Sequence, residues 1–386
     1  MSMDSLLRGK LYWMTPLSLT AILIGTLGFY AANPSNLMAR QQVQPRPASS
    51  IDMLTEAQKA VLAELLDEQP IERIKAGYAN IGMNVGDIRR YSQRQLEQLA
   101  LDLQAHGVTS VRVEIMPDWQ GYGYFFDKLL DKRISALALL NLNLIRLPVT
   151  DIHDKSDAWT EQYAGAVQRF LDAYGNKVNA VQILNEPNDN AWLWTLSGGT
   201  DTSIRPDVYA AILKRVHPLV KRKNQDIEVV IGGLLPPTAL GTDYNPLKIN
   251  HEVPKDPIVW LDAVLEASGG EAYFDAVAVH PYLSIPELTG HLQLYRQHLD
   301  GLGLHDKQII VTEAGYLAGR SFDEEAEQAR HTLAYLNLGM RSIVERVYLF
   351  TWKDFSVIGE SDRPETIRYG VFGRPSGALL QHVGRQ

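Results

Sequence analysis

From Ile51 onward, short apolar runs alternate with stretches in which apolar residues recur three and four positions apart. The runs are rich in β-branched residues and read as buried strands, and the longer periodic stretches read as helices. The strands are expected at Ala76–Val85, Ser110–Ile115, Leu144–Val149, within Val178–Asn190, and at Glu228–Ile231, Ala276–His280, Gln308–Thr312 and Val347–Phe350. Between the first two, Ser92 and Gln95 have the spacing of a capping box. Leu96, Leu99, Ala100 and Leu103 then follow on one helical face before Gly107. Further helices are expected over Asp127–Leu140, Ala158–Tyr174, Asp323–Leu338 and Ser376–Val383. Pro206, Pro257 and Pro286 mark the starts of three more. An amphipathic stretch, Thr55–Asp67, precedes the first strand, with Leu54, Val61, Leu62, Leu65 and Leu66 on one face. It is expected as an extra helix closing the bottom of the fold. Eight strand–helix units with near-continuous apolar strands predict an α/β protein, a (β/α)8 TIM barrel. The alternative, a doubly wound open sheet, normally shows a Gly-rich phosphate loop after its first strand, and Gly77 and Gly82 do not form one.

The pattern changes before Ile51. Leu11–Ala32 carries no charge, and its length matches the roughly 20 apolar residues of a membrane-spanning helix. Arg8 and Lys10 precede it, and Tyr12, Trp13 and Tyr30 sit where an interfacial aromatic belt would lie. A cleaved signal peptide would need small residues at a small-x-small site, and Tyr30-Ala31-Ala32 supplies a poor one. The domain reading is therefore a cytoplasmic N-terminus (1–10), an uncleaved transmembrane signal anchor (11–32), a polar linker (33–54) and the barrel (55–386). The expected location is the inner membrane, single-pass, with the barrel periplasmic or extracellular.

Composition narrows the function. The 386 residues include no cysteine, which removes disulfides and thiolate metal sites, and the net charge of -8 with no basic patch argues against nucleic-acid binding.

Barrel enzymes carry their catalytic groups at the C-terminal ends of the strands. The fourth strand lies in VNAVQILNEPNDN, where Pro187 stops the apolar run and places Glu186 at its lip. The seventh, QIIVTEAGY, ends in Glu313. The sixth, AVAVHPY, ends in His280 and Tyr282. The eighth, VYLFTWKD, ends in Trp352, and Arg112 lies inside the second, SVRVEIMP, where it needs an anionic partner. Glu186 and Glu313 would face one another across the mouth, and paired carboxylates are the machinery of glycoside hydrolysis.

On these residues the sequence resembles the superfamily of retaining (β/α)8 glycoside hydrolases known as clan A, whose catalytic glutamates stand on strands four and seven. The resemblance covers about Ala76–Phe372 and leans toward the family-thirty-nine and family-five types, some of which are exported enzymes that trim exopolysaccharide. It implies Glu186 as acid/base, Glu313 as nucleophile, Asn185 on the sugar 2-hydroxyl and Tyr282 holding Glu313 ionised. It implies His280 and Arg112 as supports of the two carboxylates and Trp352 as the floor under the sugar. Neither cofactor nor metal is implied, and Asp151, His153 and Asp154 read as loop polarity. Trp192 and Trp194, with Trp119, Tyr122 and Tyr124, read equally as sugar platforms or as rim cover.

The expected activity is retaining hydrolysis of β-glycosidic bonds in a polysaccharide or oligosaccharide, endo-acting in preference to exo-acting. A transglycosylase would share every catalytic residue, and a non-catalytic polysaccharide-binding barrel of a secretion assembly is the reading from another class. The topology is directly testable. Alkaline phosphatase fused after Ser50 should be active, and a fusion active only as a cytoplasmic reporter would reverse the orientation.

Overall fold

The computed structural model describes residues 47–68, 81–117, 121–145, 152, 155–188, 203–236, 254, 256–319, 321–339, 344–358 and 364–384. The expected anchor and most of the linker lie outside these, as do Ala76–Asn80, Trp119, Asp151, His153, Asp154, Trp192 and Trp194. Among the described residues no helix is long and apolar enough to cross a membrane.

Eight parallel strands close into a barrel: β1 (Ile81–Asn84), β2 (Ser110–Glu114), β3 (Ser135–Leu140), β4 (Ala180–Ile183), β5 (Glu228–Leu234), β6 (Ala276–Val279), β7 (Gln308–Ala314) and β8 (Arg346–Leu349). β8 returns to pair with β1 through Ile81 opposite Val347. Inside the ring, Leu137, Ala180, Val230, Ala276, Ala278, Ile310 and Tyr348 form a dry cluster that fills the lumen, so the barrel is a packed core. Tyr348 lies across Gly82, where any side chain would overlap its ring, and its hydroxyl bonds Ser110 at 2.7 Å. Arg346 and Glu228 pair below this layer.

The helices form the outer ring. They are α1 (Ser50–Met53), α2 (Glu56–Glu68), α3 (Gln93–Ala105), α4 (Tyr122–Asp131), α5 (Ser156–Tyr174), α6 (Pro206–Lys223), α7 (Pro257–Ala267), α8 (Ile285–Gly301), α9 (Phe322–Gly339) and α10 (Pro375–Gly384). A hairpin, β9 (Phe355–Ile358) with β10 (Pro364–Ile367), is inserted between β8 and α10. The Ser92–Gln95 capping box is present.

Three expectations are corrected. First, Ser135–Leu140 is β3 and not the end of a helix, and the expected strand Leu144–Val149 begins in a 3-10 turn, Leu142–Leu144. Leucine and alanine favour helices locally, yet the ISALALL run directly follows a turn. Arg133 takes φ 57 there and breaks the helix. Pairing with β2 and β4 then decides the run. Second, α2 packs on the flank against α9 and α10. Gln58 bonds Glu325 in the first turn of α9, at 2.6 Å, which places the start of α2 near the upper end of the ring and not across the bottom.

Third, the expected linker ends too late. Ala48 donates to Asp102, Ile51 donates to Gln381, and the buried Ser50 hydroxyl lies 2.8 Å from His106 Nε2 and accepts from Gly373. A polar composition suggested a tether, but Ser49 caps α1 and the segment finds buried polar partners. Ser50→Ala should therefore cost about 1–3 kcal/mol by leaving His106 without this partner. Urea unfolding of the fragment starting near residue 45 checks this, and an unchanged midpoint would show that the segment adds nothing.

Candidate active site

The polar residues at the upper strand ends converge on one point. Arg112 projects inward from β2 and is 4% exposed. Its Nη1 donates to Glu313 Oε1 at 2.6 Å and to Asn84 Oδ1 at 2.8 Å, its Nε to Gln182 Oε1 at 2.8 Å, and its Nη2 to Asn185 Oδ1 at 2.7 Å. Glu313 receives a second bond from the Tyr282 hydroxyl on Oε2, at 2.9 Å. His280 is fully buried, with Nδ1 2.8 Å from Glu186 Oε1 and Nε2 2.9 Å from Thr312 Oγ1.

Local backbone shape aims these groups. On β4, Leu184 and Glu186 take φ 61 and φ 47, in the left-handed region that residues with side chains seldom occupy. The strand thus curls over at its end and turns the Glu186 carboxyl into the mouth. Such strain persists only where the surroundings over-determine it, here through Pro187, which packs against Gly232, and Asn188, which exchanges bonds with Leu235. Gly232 is required because a side chain would overlap Pro187. The Asn185 amide is oriented by Arg112: guanidinium groups only donate, so Oδ1 faces Arg112 and Nδ2 is turned away.

The surroundings push the pKa values of the two carboxyl groups in opposite directions. Oxygens of Glu186 and Glu313 and a nitrogen of His280 all lie within 4.8 Å of one another. Burial raises the Glu186 pKa, and repulsion from Glu313 adds to this, against the hydrogen bond from His280 and the charge its ring carries when protonated. Burial also opposes ionisation of Glu313. There His280 when its ring is protonated, the Arg112 charge and the bonds from Arg112 and Tyr282 together outweigh it and hold the carboxyl below its usual range. A proton at this site is therefore favoured on Glu186 over Glu313. The same three residues are the one His and carboxylate group among the described residues compact enough to hold a metal ion. Their atoms already serve one another, Thr312, Arg112 and Tyr282 as hydrogen-bond partners, and we assign no ion to them.

Six of the seven expected site residues, Arg112, Asn185, Glu186, His280, Tyr282 and Glu313, therefore meet. Trp352 is corrected: it is 1% exposed, packs edge-on to His106 at 4.9 Å and against Phe372 at 4.8 Å, and offers no face to a ligand. The half-buried ring at the end of β8 belongs instead to Phe350. It packs edge-on to Tyr369 at 5.4 Å, and Tyr369 packs on Tyr282 at 6.3 Å. Burial and the nearby Glu313 and Glu186 push the Tyr369 hydroxyl up to about 12. Tyr122 is likewise buried, bonded to Glu114 and Met116, and serves as rim cover. Sequence reasoning missed Asn84, Gln182, Thr312, Phe350 and Tyr369. Asn84 and Phe350 were findable as the last residues of apolar runs, but Tyr369 follows a hairpin with no strand-end signal.

No family model matches the chain, and no curated protein sequence matches it. Solved structures do share its fold. The endo-1,4-β-D-mannanase from Thermotoga petrophila RKU-1 aligns with TM-score 0.53 at 12% identity, over 80% of this chain and 99% of the mannanase. A glucosidase from Croceicoccus marinus aligns with TM-score 0.53 at 13% identity, over 80% and 67%. A monomeric β-xylosidase from Caulobacter crescentus CB15 aligns with TM-score 0.51 at 14% identity, over 80% and 68%.

Two outcomes follow from the geometry. Arg112→Met should cost about 3–5 kcal/mol, because it leaves the Glu313 charge buried without its partner, and chemical denaturation reads that loss. Tyr282→Phe should leave the fold intact but remove a bond to ionised Glu313, so its carboxyl ¹³C resonance should titrate at higher pH. An unmoved midpoint would make Tyr282 a packing residue only.

Proposed function

We propose that the protein is a retaining β-glycosidase that cleaves polysaccharide by double displacement. The observation that carries this is the pair of carboxyl groups within 4.8 Å whose pKa values are pushed in opposite directions. Retaining enzymes hold their two carboxyls about 5–5.5 Å apart, too close for water to attack directly, and require one protonated and one ionised. The names of the structures that share the barrel, a mannanase, a glucosidase and a xylosidase, support the same reaction class.

In this reading Glu313 attacks the anomeric carbon while Glu186 gives its proton to the departing glycosidic oxygen. That leaves a glycosyl ester on Glu313 and a carboxylate at Glu186. The carboxylate then takes a proton from water, whose oxygen displaces Glu313 and restores the starting anomer. Arg112 and Tyr282 keep the leaving Glu313 carboxylate stabilised, and Asn185 presents Nδ2 to the sugar 2-hydroxyl. The aromatic group of Phe350, Tyr369 and Tyr282 replaces Trp352 as the floor under the ring. Endo-cleavage of exopolysaccharide, by an enzyme tethered outside the cytoplasm through 11–32, is the fuller form of the proposal. The tether rests on the charge-free stretch and on Arg8 and Lys10, endo-cleavage on the long loops expected after strands two, four and five, and exopolysaccharide on the family resemblance.

The assignment is tested by azide. Glu313→Ala should lose turnover, and azide should then yield an α-glycosyl azide from an activated substrate in one inversion. Glu186→Ala should still form the glycosyl-enzyme from good leaving groups, which need no proton, and azide should give the β-anomer. Swapped anomers would exchange the two roles, and full activity of both variants on a polysaccharide panel would remove the glycosidase reading.

A further inference from the structure

His280 is gripped from three sides. Nδ1 meets Glu186, Nε2 meets Thr312 Oγ1, and the backbone N–H donates to Leu234 at 2.9 Å. Its ring also lies against Gly233, where any side chain would overlap it. Both strands beside β6 leave regular register at the level of this ring. β5 shifts between Ile231 and Leu234, and β7 shifts between Val311 and Ala314. In a regular strand consecutive side chains point to opposite faces. The β7 irregularity instead brings the neighbours Thr312 and Glu313 both to the site, and the β5 irregularity brings Gly233 against the imidazole. Irregularities of this kind re-aim side chains. Here two of them build a slot that admits His280 in one orientation, with a buried hydroxyl at its far nitrogen.

We propose that Thr312 is the positioning residue that decides which ring nitrogen of His280 carries the proton, and so sets how firmly Glu186 holds its own. The inference rests on the glycosidase reading for its consequence in catalysis, but not for the ring chemistry. A neutral imidazole has one donor and one acceptor nitrogen, and a hydroxyl can complement either. With Glu186 protonated, its O–H donates to bare Nδ1, and Nε2–H donates to Thr312 Oγ1. The other groups facing Glu186 are Glu313 on β7, Arg112 on β2, Tyr282 after β6 and Tyr369 beyond the hairpin. Arg112 and Tyr282 bond Glu313 directly, whereas Thr312 reaches Glu186 through His280. Removing the hydroxyl strands a buried Nε2–H without an acceptor. The ring proton then moves to Nδ1, faces Glu186 and favours its ionised form.

Thr312→Val keeps the volume and removes the hydroxyl, and Thr312→Ser restores it. In the full chain with ¹⁵N-labelled histidine, wild type and Thr312→Ser should show His280 protonated at Nε2, and Thr312→Val should show it at Nδ1. The Glu186 carboxyl ¹³C midpoint should fall by about one pH unit in Thr312→Val. The basic limb of its rate profile should move down equally, with about a tenfold loss at the upper end of the pH range. This loss should be confined to substrates with poor leaving groups, which need the acid. Equal ring protonation in wild type and Thr312→Val would overturn the proposal, and so would Thr312→Ser behaving as Thr312→Val does. If wild type cleaves no glycoside, the functional reading falls while the ring-proton measurement still decides the role of Thr312.

Discussion

The site depends on one buried cation. The Arg112 guanidinium lies inside the barrel, where an unpaired charge would be too costly to keep. It is satisfied by four oxygens, of which one belongs to a carboxylate and three to side-chain amides. Those partners come from β1, β7 and the strand four lip together with Gln182 on β4. A single side chain therefore fixes the spacing of four strand ends. The amides matter as much as the charge. They occupy the remaining donors without cancelling them, so the full field of the guanidinium is left to act on Glu313. Glu186, only one step further, has no such partner and stays protonated more readily.

Asymmetry between the two carboxyls is thus a product of architecture. The interior layer below them is apolar and includes the buried ring of Tyr348. In that setting each donor counts for more than it would in water. The departures from regular geometry are concentrated where this layer meets the mouth: the left-handed Leu184 and Glu186, and the register shifts on β5 and β7. The lower barrel follows the repeating rules of a parallel sheet, and the upper rim departs from them to bring side chains of both parities to one point.

This division explains what the sequence disclosed. Seven of the eight strands were legible because their apolar runs reflect burial on both faces. The third was misplaced because Leu and Ala serve helix and strand alike, and only pairing with neighbours decides between them. Glu186 and Glu313 were legible because polar residues closing apolar runs mark strand ends. Trp352 was assigned to the mouth on the same signal. The chain bends after Leu349, so Phe350 faces Tyr369 while Trp352 is buried against His106 and Phe372, just past α3 and just before α10. The contact of Thr312 with His280 was not legible, for the opposite reason. Strict alternation places Thr312 on the face opposite to Glu313, and no local pattern announces a shift in register.

The segment before α2 joins residues made far apart in time during synthesis. Ile51 and Gln381 are 330 positions apart, yet they share a hydrogen bond, and Ser50 sits between His106 and Gly373. A chain emerging in order from its N-terminus cannot close this seam until α10 has appeared. The contacts of this segment with Asp102 and His106 can form early, whereas those with Gly373 and Gln381 wait for α10 and the turn before it. A polypeptide that stops just short of Gln381 has all eight barrel strands but leaves the Ile51–Gln381 side of this seam open.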